Sequence, residues 1–192
     1  MKVILEVSGH HCHIARADLD ALYGAGYQLT PVKPLSQTGQ FAAQETVTIK
    51  AGNRELREVR ILGPERKYTQ VEISRTEAYH LKIDPPIREC TQPESAHGCA
   101  LIEIAGPKGS LRRCAVIIAH RHFHTDPQSA KKYGVKAGQM VSVKTAGPRS
   151  ITFNNILVRV DPSFEPRIHL DTDEANAAGI KTGDRGELIF AR

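Results

Sequence analysis

A short helix–turn–strand unit recurs along the 192-residue chain, and this repeat restricts the possible folds more than any other feature. The segments "SAKKYGVKAGQMVSVK", from Ser129, and "EANAAGIKTGDRGELI", from Glu174, share an alanine, three variable residues, a glycine, a β-branched residue, a lysine, one residue and a second glycine. The first glycine suits a left-handed helix C-cap and the second a turn into a strand. A fainter copy, "EAYHLKIDPPIR", has Lys82 in place of the first glycine. The repeat predicts short helices that alternate with strands.

The rest of the chain is dominated by short segments that have the length and the alternating or β-branched pattern of strands. These strand candidates are residues 2–8, 45–52, 56–63, 69–74, 99–106, 114–120, 139–145, 155–161 and 185–191. The helix candidates are brief and lie at residues 16–24, 75–81, 126–134 and 171–179. Many short strands with only capping helices indicate a mainly β fold built of small β-barrels, and argue against an alternating α/β fold.

Composition narrows the possible partners and the cellular location. The net charge of +5 and the pI near 9.1 favour an anionic partner. We expect a phosphate-bearing small molecule and no nucleic acid, because aromatic residues make up only 5% of the chain, tryptophan is missing and the basic residues are scattered. No stretch approaches the ~20 apolar residues of a membrane span, so no membrane partner is expected. The N-terminus reads as a strand and not as a secretion signal, which predicts a cytoplasmic protein.

The four cysteines, Cys12, Cys90, Cys99 and Cys114, form no Cys-x-x-Cys pair. They therefore resemble neither a zinc ribbon nor a redox motif. In a reducing compartment we expect them to be free thiols that serve mainly in packing.

Two histidine-rich stretches are candidates for metal binding. "SGHHCHIA" places His11 and His13 two residues apart, and "AHRHFHTD" does the same with His120, His122 and His124. In an extended strand, residues two apart project from the same face, so these imidazoles could converge on one divalent metal such as zinc.

The repeat points independently to four of the candidate ligands. His124 and His169 precede Gly134 and Gly179 by ten residues, and Glu72 precedes Lys82 by ten; His13 occupies a looser version of the same place. Each residue is predicted to end a strand just before a helix, and each is of a type that binds zinc. The spacing leaves open which of these residues share a metal ion.

Two further groups of charged residues have both a functional and a structural explanation. Asp171, Asp173 and Glu174 could act as paired carboxylates, but acidic residues are also expected at a helix start, where they cap the helix. Arg66 precedes the strand of Glu72 and could hold a phosphate through two parallel hydrogen bonds. The chain has 26 lysines and arginines, and position alone does not distinguish Arg66 from the others.

Three long segments, residues 63–89, 116–143 and 156–188, resemble the phosphate propanoyltransferase family of phosphotransacylases, including the ending "HLDTDEANAAG". The resemblance covers almost the whole chain. It implies a transfer of a short acyl group, acetyl or propanoyl, between coenzyme A (CoA) and phosphate, with acyl-CoA and acyl phosphate as the partners of the exchange. It also implies two zinc ions per chain, and a homodimer is the expected assembly.

The resemblance assigns roles to individual residues. It implies that one zinc ion is bound by His11, His13 and Glu72, and the other by His122, His124 and His169, with Arg66 as the catalytic residue that binds phosphate. It implies two small β-barrels with short capping α-helices: a discontinuous barrel of residues 1–9 and 119–192, and a central barrel of residues 10–118. Both His-x-His stretches would lie where the barrels join.

Two positions depart from the family pattern. The family usually has arginine before the first His-x-His and a small residue two positions before the second, where this chain has His10 and His120. Neither change removes a ligand, and we expect His120 to lie near the site without binding metal. Two other functions fit three-ligand zinc sites: a zinc-dependent hydrolase of an ester or phosphoester, and a barrel protein with purely structural zinc.

Overall fold

The computed structural model describes residues 1–89 and 100–190, and these form strands and four short helices. In chain order the strands are β1 Lys2–Ser8, β2 His11–Ala15, β3 Pro31–Pro34, β4 Phe41–Ala51, β5 Arg54–Arg66, β6 Gln70–Glu72, β7 Ile87–Arg88, β8 Ala100–Ala105, β9 Ser110–Ala119, β10 His122–Thr125, β11 Met140–Lys144, β12 Thr152–Val160, β13 Arg167–Asp171 and β14 Arg185–Ile189. The helices are α1 Arg16–Tyr23, α2 Arg75–Leu81, α3 Pro127–Tyr133 and α4 Thr172–Ala178.

The first of two compact units consists of Met1–Gly9, Ser36–Thr38 and the chain from His120 onward. Six strands close into a barrel in the order β1-β13-β10-β12-β11-β14, and β14 returns to pair with β1. The alternating side chains of these strands place an apolar set inside the barrel. Leu5, Phe123, Ile156 and Ile168 are fully buried there.

The second unit consists of His10–Leu35 and Gly39–Ala119. Its strands close in the order β4-β5-β2-β6-β9-β8, and β8 pairs again with β4. β3 and β7 extend this sheet at β4 and β9. Ile14, Ile61 and Val71 are buried in its core, and α1 adds Leu19 and Leu22.

The predicted fold class is confirmed: the chain is mainly β and forms two closed six-stranded barrels with short helices. The sequence predicts one domain of residues 1–9 with 119–192 and another of residues 10–118. These domain boundaries stay a prediction.

Aspartate side chains cap the N-termini of α3 and α4. The side chain of Asp126 caps α3, which begins with Pro127. Asp171 caps α4, and Glu174 completes a capping box by accepting a hydrogen bond from the backbone N–H of Asp171. Capping therefore accounts for Asp171 and Glu174 without a catalytic role.

The expectation of four free thiols is wrong, because Cys114 is disulfide-bonded. Cys12 is free and buried. Cys90 and Cys99 lie outside the described residues. None of the helices within residues 1–89 and 100–190 has both the length and the apolar character required to cross a membrane.

Lys82 provides a stability test of the repeat. Its backbone has φ 55° and ψ 43° at the C-cap of α2, the left-handed conformation that Gly134 and Gly179 adopt after α3 and α4. Because a residue with a Cβ atom is strained there, we expect Lys82→Gly to raise the free energy of unfolding by about 1 kcal/mol in urea titrations. Lys82→Ala removes the same charge and keeps the Cβ atom, so it should give no such gain. Equal stabilities of the two variants would contradict this explanation.

Candidate functional site

Two pairs of antiparallel strands bring the candidate ligands together. In the second unit β2 pairs with β6, and His11 lies opposite Glu72. In the first unit β10 pairs with β13, and His122 lies opposite His169. In each pair a further histidine follows two residues along the His-x-His strand and projects from the same face. The two strand pairs thus present one pattern, a His-x-His strand with a third ligand on its antiparallel neighbour.

We call His11, His13 and Glu72 the carboxylate triad. The Nε2 atom of His11 lies 3.3 Å from Oε2 of Glu72, and Nε2 of His13 lies 3.8 Å from Oε1. The two imidazole rings are 5.0 Å apart between centroids, and His13 and Glu72 are buried. One nitrogen or oxygen atom from each of the three residues falls within 4.8 Å of the others.

The electrostatic environment of His13 favours its neutral form. Burial lowers its pKa well below the usual range, and the nearby charges of His11 and Arg66 act in the same direction. A neutral imidazole is the form that binds metal. Arg66 is near because it ends β5, which runs parallel to β2, and there it pairs with Ala15. Its guanidinium donates a hydrogen bond to the side-chain oxygen of Gln40, at 3.3 Å.

We call His122, His124 and His169 the histidine triad. Their ring centroids are 4.5 to 4.8 Å apart, and all three side chains are buried. Nδ1 of His122 lies 2.8 Å from the backbone oxygen of His120. A carbonyl oxygen can only accept, so Nδ1 of His122 carries the proton and Nε2 keeps a lone pair for a ligand.

The four ligands chosen from the repeat occupy equivalent positions. His13, Glu72, His124 and His169 each lie two residues before the N-cap of a helix, the caps being Ala15, Ser74, Asp126 and Asp171. The prediction that each ends a strand before a helix is exact only for Glu72: His124 lies one residue, and His13 and His169 lie two residues, before the end of the strand. His11 and His122, which the family resemblance added, complete the two triads.

His120 and His10 lie outside both triads. Nδ1 of His120 is 2.9 Å from the backbone oxygen of Arg121. His120 itself lies outside β10, which begins at His122. Nδ1 of His10 lies 2.5 Å from the carboxylate of Glu77. Among residues 1–89 and 100–190, these two triads are the groups of three or more possible ligands that lie close enough to share an ion.

Two residues that the sequence did not single out contact His124. The side-chain amide of Gln37 lies 3.2 Å from Nδ1 of His124, although the residues are 87 positions apart. The ring of Phe164 stacks on the imidazole with centroids 3.8 Å apart. Neither residue belongs to the repeat or to a metal-ligand pattern, so no sequence signal marked them.

Both triads fit zinc by the chemistry of their donor sets. Imidazole nitrogens and carboxylate oxygens are common zinc ligands, and three such ligands leave a fourth, open position in a tetrahedral site. Each triad lies on paired strands within one barrel, so the backbone hydrogen bonds of that barrel hold its donors in place.

Comparison with known proteins identifies one family. The family model described as phosphate propanoyltransferase matches residues 4–181. The chain is 48% identical to a phosphate propanoyltransferase of Thermotoga maritima, over 95% of this chain and 86% of that protein. It is 46% identical to one of Priestia megaterium, over 97% and 85%, and 42% identical to one of Enterococcus faecalis, over 96% and 87%.

Proposed function

The chain belongs to the phosphate propanoyltransferase family, and from this premise we propose that it is a phosphate acyltransferase that uses two zinc ions. The reaction exchanges a short acyl group, acetyl or propanoyl, between CoA and inorganic phosphate. The observation that carries this proposal is the carboxylate triad beside the positive charge of Arg66. Metal ligands and an anion-binding side chain then lie within one barrel.

The two triads would each hold one zinc ion. In one barrel the ligands are His11, His13 and Glu72; in the other they are His122, His124 and His169. Zinc bound in this way is a Lewis acid that lowers the pKa of a bound thiol and stabilises it as the thiolate.

Arg66 would bind the phosphate. A guanidinium presents two parallel N–H donors that match two phosphate oxygens, and it stays charged at any pH of interest. The same group would offset negative charge that builds on the transferring oxygens in the transition state. The hydrogen bond to Gln40 supports this role because it orients the guanidinium before phosphate arrives.

The acyl group would pass directly between the two substrates. In the thioester direction a phosphate oxygen attacks the carbonyl carbon; a C–O bond forms, the C–S bond breaks, and CoA leaves with the electron pair as a thiolate. In the reverse direction the CoA sulfur attacks the acyl phosphate and phosphate leaves. Cys12 is excluded as an acyl carrier, because burial and the charge of Asp18 raise its thiol pKa to about 12.

A zinc hydrolase is the second candidate, since a three-ligand site with an open position also suits a metal-bound water. Acyl phosphate, CoA and a thiol reagent in one assay separate the two functions. A transferase consumes the thiol as acyl-CoA forms, whereas a hydrolase releases acid and leaves the thiol unchanged. Purified protein with bound zinc and neither reaction would indicate a structural role for the metal.

We expect Arg66→Lys to raise the KM for phosphate about tenfold, because lysine keeps the charge and loses the planar pair of donors. Arg66→Ala should lower kcat/KM for phosphate by about 100-fold or more. Steady-state kinetics with phosphate varied at saturating acyl-CoA measure both effects.

The matched control lies on the same strand. Arg57, also in β5, is exposed and pairs with Glu55. Arg57→Lys should leave the KM for phosphate unchanged. If Arg66→Ala also left it unchanged, Arg66 would not be the phosphate-binding residue.

A further inference from the structure

One histidine of the histidine triad contacts a side chain from an irregular segment far away in the sequence. Nδ1 of His122 bonds to the backbone within its motif, and Nδ1 of His169 lies 3.5 Å from the hydroxyl of Ser8 on the neighbouring strand β1. Nδ1 of His124 instead lies 3.2 Å from the amide nitrogen Nε2 of Gln37. Gln37 belongs to the three-residue segment Ser36–Thr38, which comes from a distant part of the sequence.

This segment is fixed by several contacts within the first unit. Gln37 forms an antiparallel β-bridge with Phe164, and the backbone N–H of Thr38 donates to the oxygen of Ser163 at 3.0 Å. Phe164 also stacks on the ring of His124. The amide of Gln37 is therefore held at the edge of the His124 ring, and Phe164 covers one face of that ring.

The hydrogen bonds of Ser36 indicate which atom of the Gln37 amide faces His124. The Ser36 hydroxyl lies 3.2 Å from a carboxylate oxygen of Glu6 and 3.4 Å from the amide oxygen Oε1 of Gln37. A hydroxyl has one proton, and an ionised carboxylate can only accept, so the proton belongs to the bond with Glu6. No proton then remains for Oε1 of Gln37, which the structure places toward Ser36, whereas exchanging the oxygen and nitrogen of the amide lets Nε2 donate to the Ser36 hydroxyl. Oxygen and nitrogen of an amide are assigned from such networks.

In this exchanged orientation the amide oxygen faces Nδ1 of His124, and Nδ1–H donates a hydrogen bond to it. We propose that Gln37 is a positioning residue that holds His124 in the Nδ1–H tautomer and thereby keeps Nε2 available for metal. The Nε2 atom of His124 is shielded from solvent. The hydrogen bonds run from His124 through Gln37 and Ser36 to Glu6, whose other carboxylate oxygen lies 3.4 Å from Nε of Arg167. This inference rests on the proposed zinc site and adds to it a residue that controls one ligand.

Three variants test the role of Gln37. Gln37→Leu keeps the approximate size and removes the acceptor, so the zinc affinity of the histidine triad should fall by roughly 10- to 100-fold. Gln37→Glu keeps an acceptor and should restore the affinity. Ser8→Ala is the matched control: its contact with His169 is at the limit of a hydrogen bond, so its loss should change the affinity less than Gln37→Leu does.

Competition with a chelator measures the affinities, and elemental analysis shows how many ions each variant keeps. Nitrogen-15 spectra of the metal-free protein report the tautomer of His124, which a purely structural role of Gln37 would not change. We expect the Nδ1–H form in wild type and Gln37→Glu, and a shift toward Nε2–H in Gln37→Leu. Wild-type zinc affinity in Gln37→Leu, or a failure of Gln37→Glu to restore it, would overturn the inference and leave the proposed function standing. A wild-type protein that binds no zinc would overturn both.

Discussion

Replacing His169 with alanine is expected to reduce the zinc content from two ions per chain to one. The reason is that each triad lies within a single barrel: His122, His124 and His169 in the first unit, and the carboxylate triad in the second. Loss of one ligand from a three-ligand set removes most of the binding energy for that ion. The remaining ion and its barrel should persist, because none of the carboxylate triad has been changed. Elemental analysis of the purified variant measures this outcome.

The catalytic effect of His169→Ala should be large. If both ions take part in the exchange, kcat/KM should fall by about 100-fold or more, beyond the range seen when only a supporting residue is lost. Glu72→Ala is the reciprocal variant and should remove the other ion. His80, an exposed histidine in α2, provides the control, and His80→Ala should keep both ions and full activity. A metal-free wild-type preparation with full activity would contradict the two-zinc proposal.

The repeat made part of the site predictable because a short capped helix has a constant length. α3 has seven residues between the caps Asp126 and Gly134, and α4 has seven between Asp171 and Gly179. A ligand two residues before the N-cap is therefore always ten residues before the C-cap. α1 has eight residues, so His13 precedes its C-cap Gly24 by eleven residues, which explains its looser fit to the pattern.

The pairing of the ligands could not be predicted from spacing alone. His11 meets Glu72 because β2 and β6 are adjacent in a closed barrel, and that adjacency depends on hydrogen bonds between strands some sixty residues apart. His122 meets His169 through the register of β10 and β13 in the same way. Strand order and register are properties of the whole barrel, so the local sequence left them open and only the family resemblance supplied the pairing.

The contacts of Gln37 and the disulfide of Cys114 illustrate a different limit. Gln37 lies in an irregular segment, and its link to His124 depends on where that segment returns to the barrel. The cysteines were interpreted from the absence of a Cys-x-x-Cys pair, which carries no information about pairing between distant cysteines. Side chains that act over long sequence separations leave no periodic signal.

His120 and His122 form a matched pair for the last prediction. Both are histidines of the same stretch, yet only His122 belongs to β10 and to the histidine triad. His120 contacts the histidine triad through its backbone oxygen, which accepts a hydrogen bond from Nδ1 of His122. A substitution of the His120 side chain leaves that oxygen in place. We therefore expect His120→Gln to keep both zinc ions and much of the activity.

His122→Gln should have the opposite result. The imidazole of His122 faces those of His124 and His169. The substitution puts a neutral amide in its place, and an amide is a poor zinc ligand. The variant should lose one zinc ion, and its kcat/KM should fall on the order of 100-fold, as for His169→Ala. Zinc content and acyl-CoA formation, measured side by side for the two glutamine variants, provide the comparison. If His120→Gln lost the ion while His122→Gln kept it, His120 would replace His122 as the ligand, and the acyl-transfer proposal would still stand because a three-histidine site would remain.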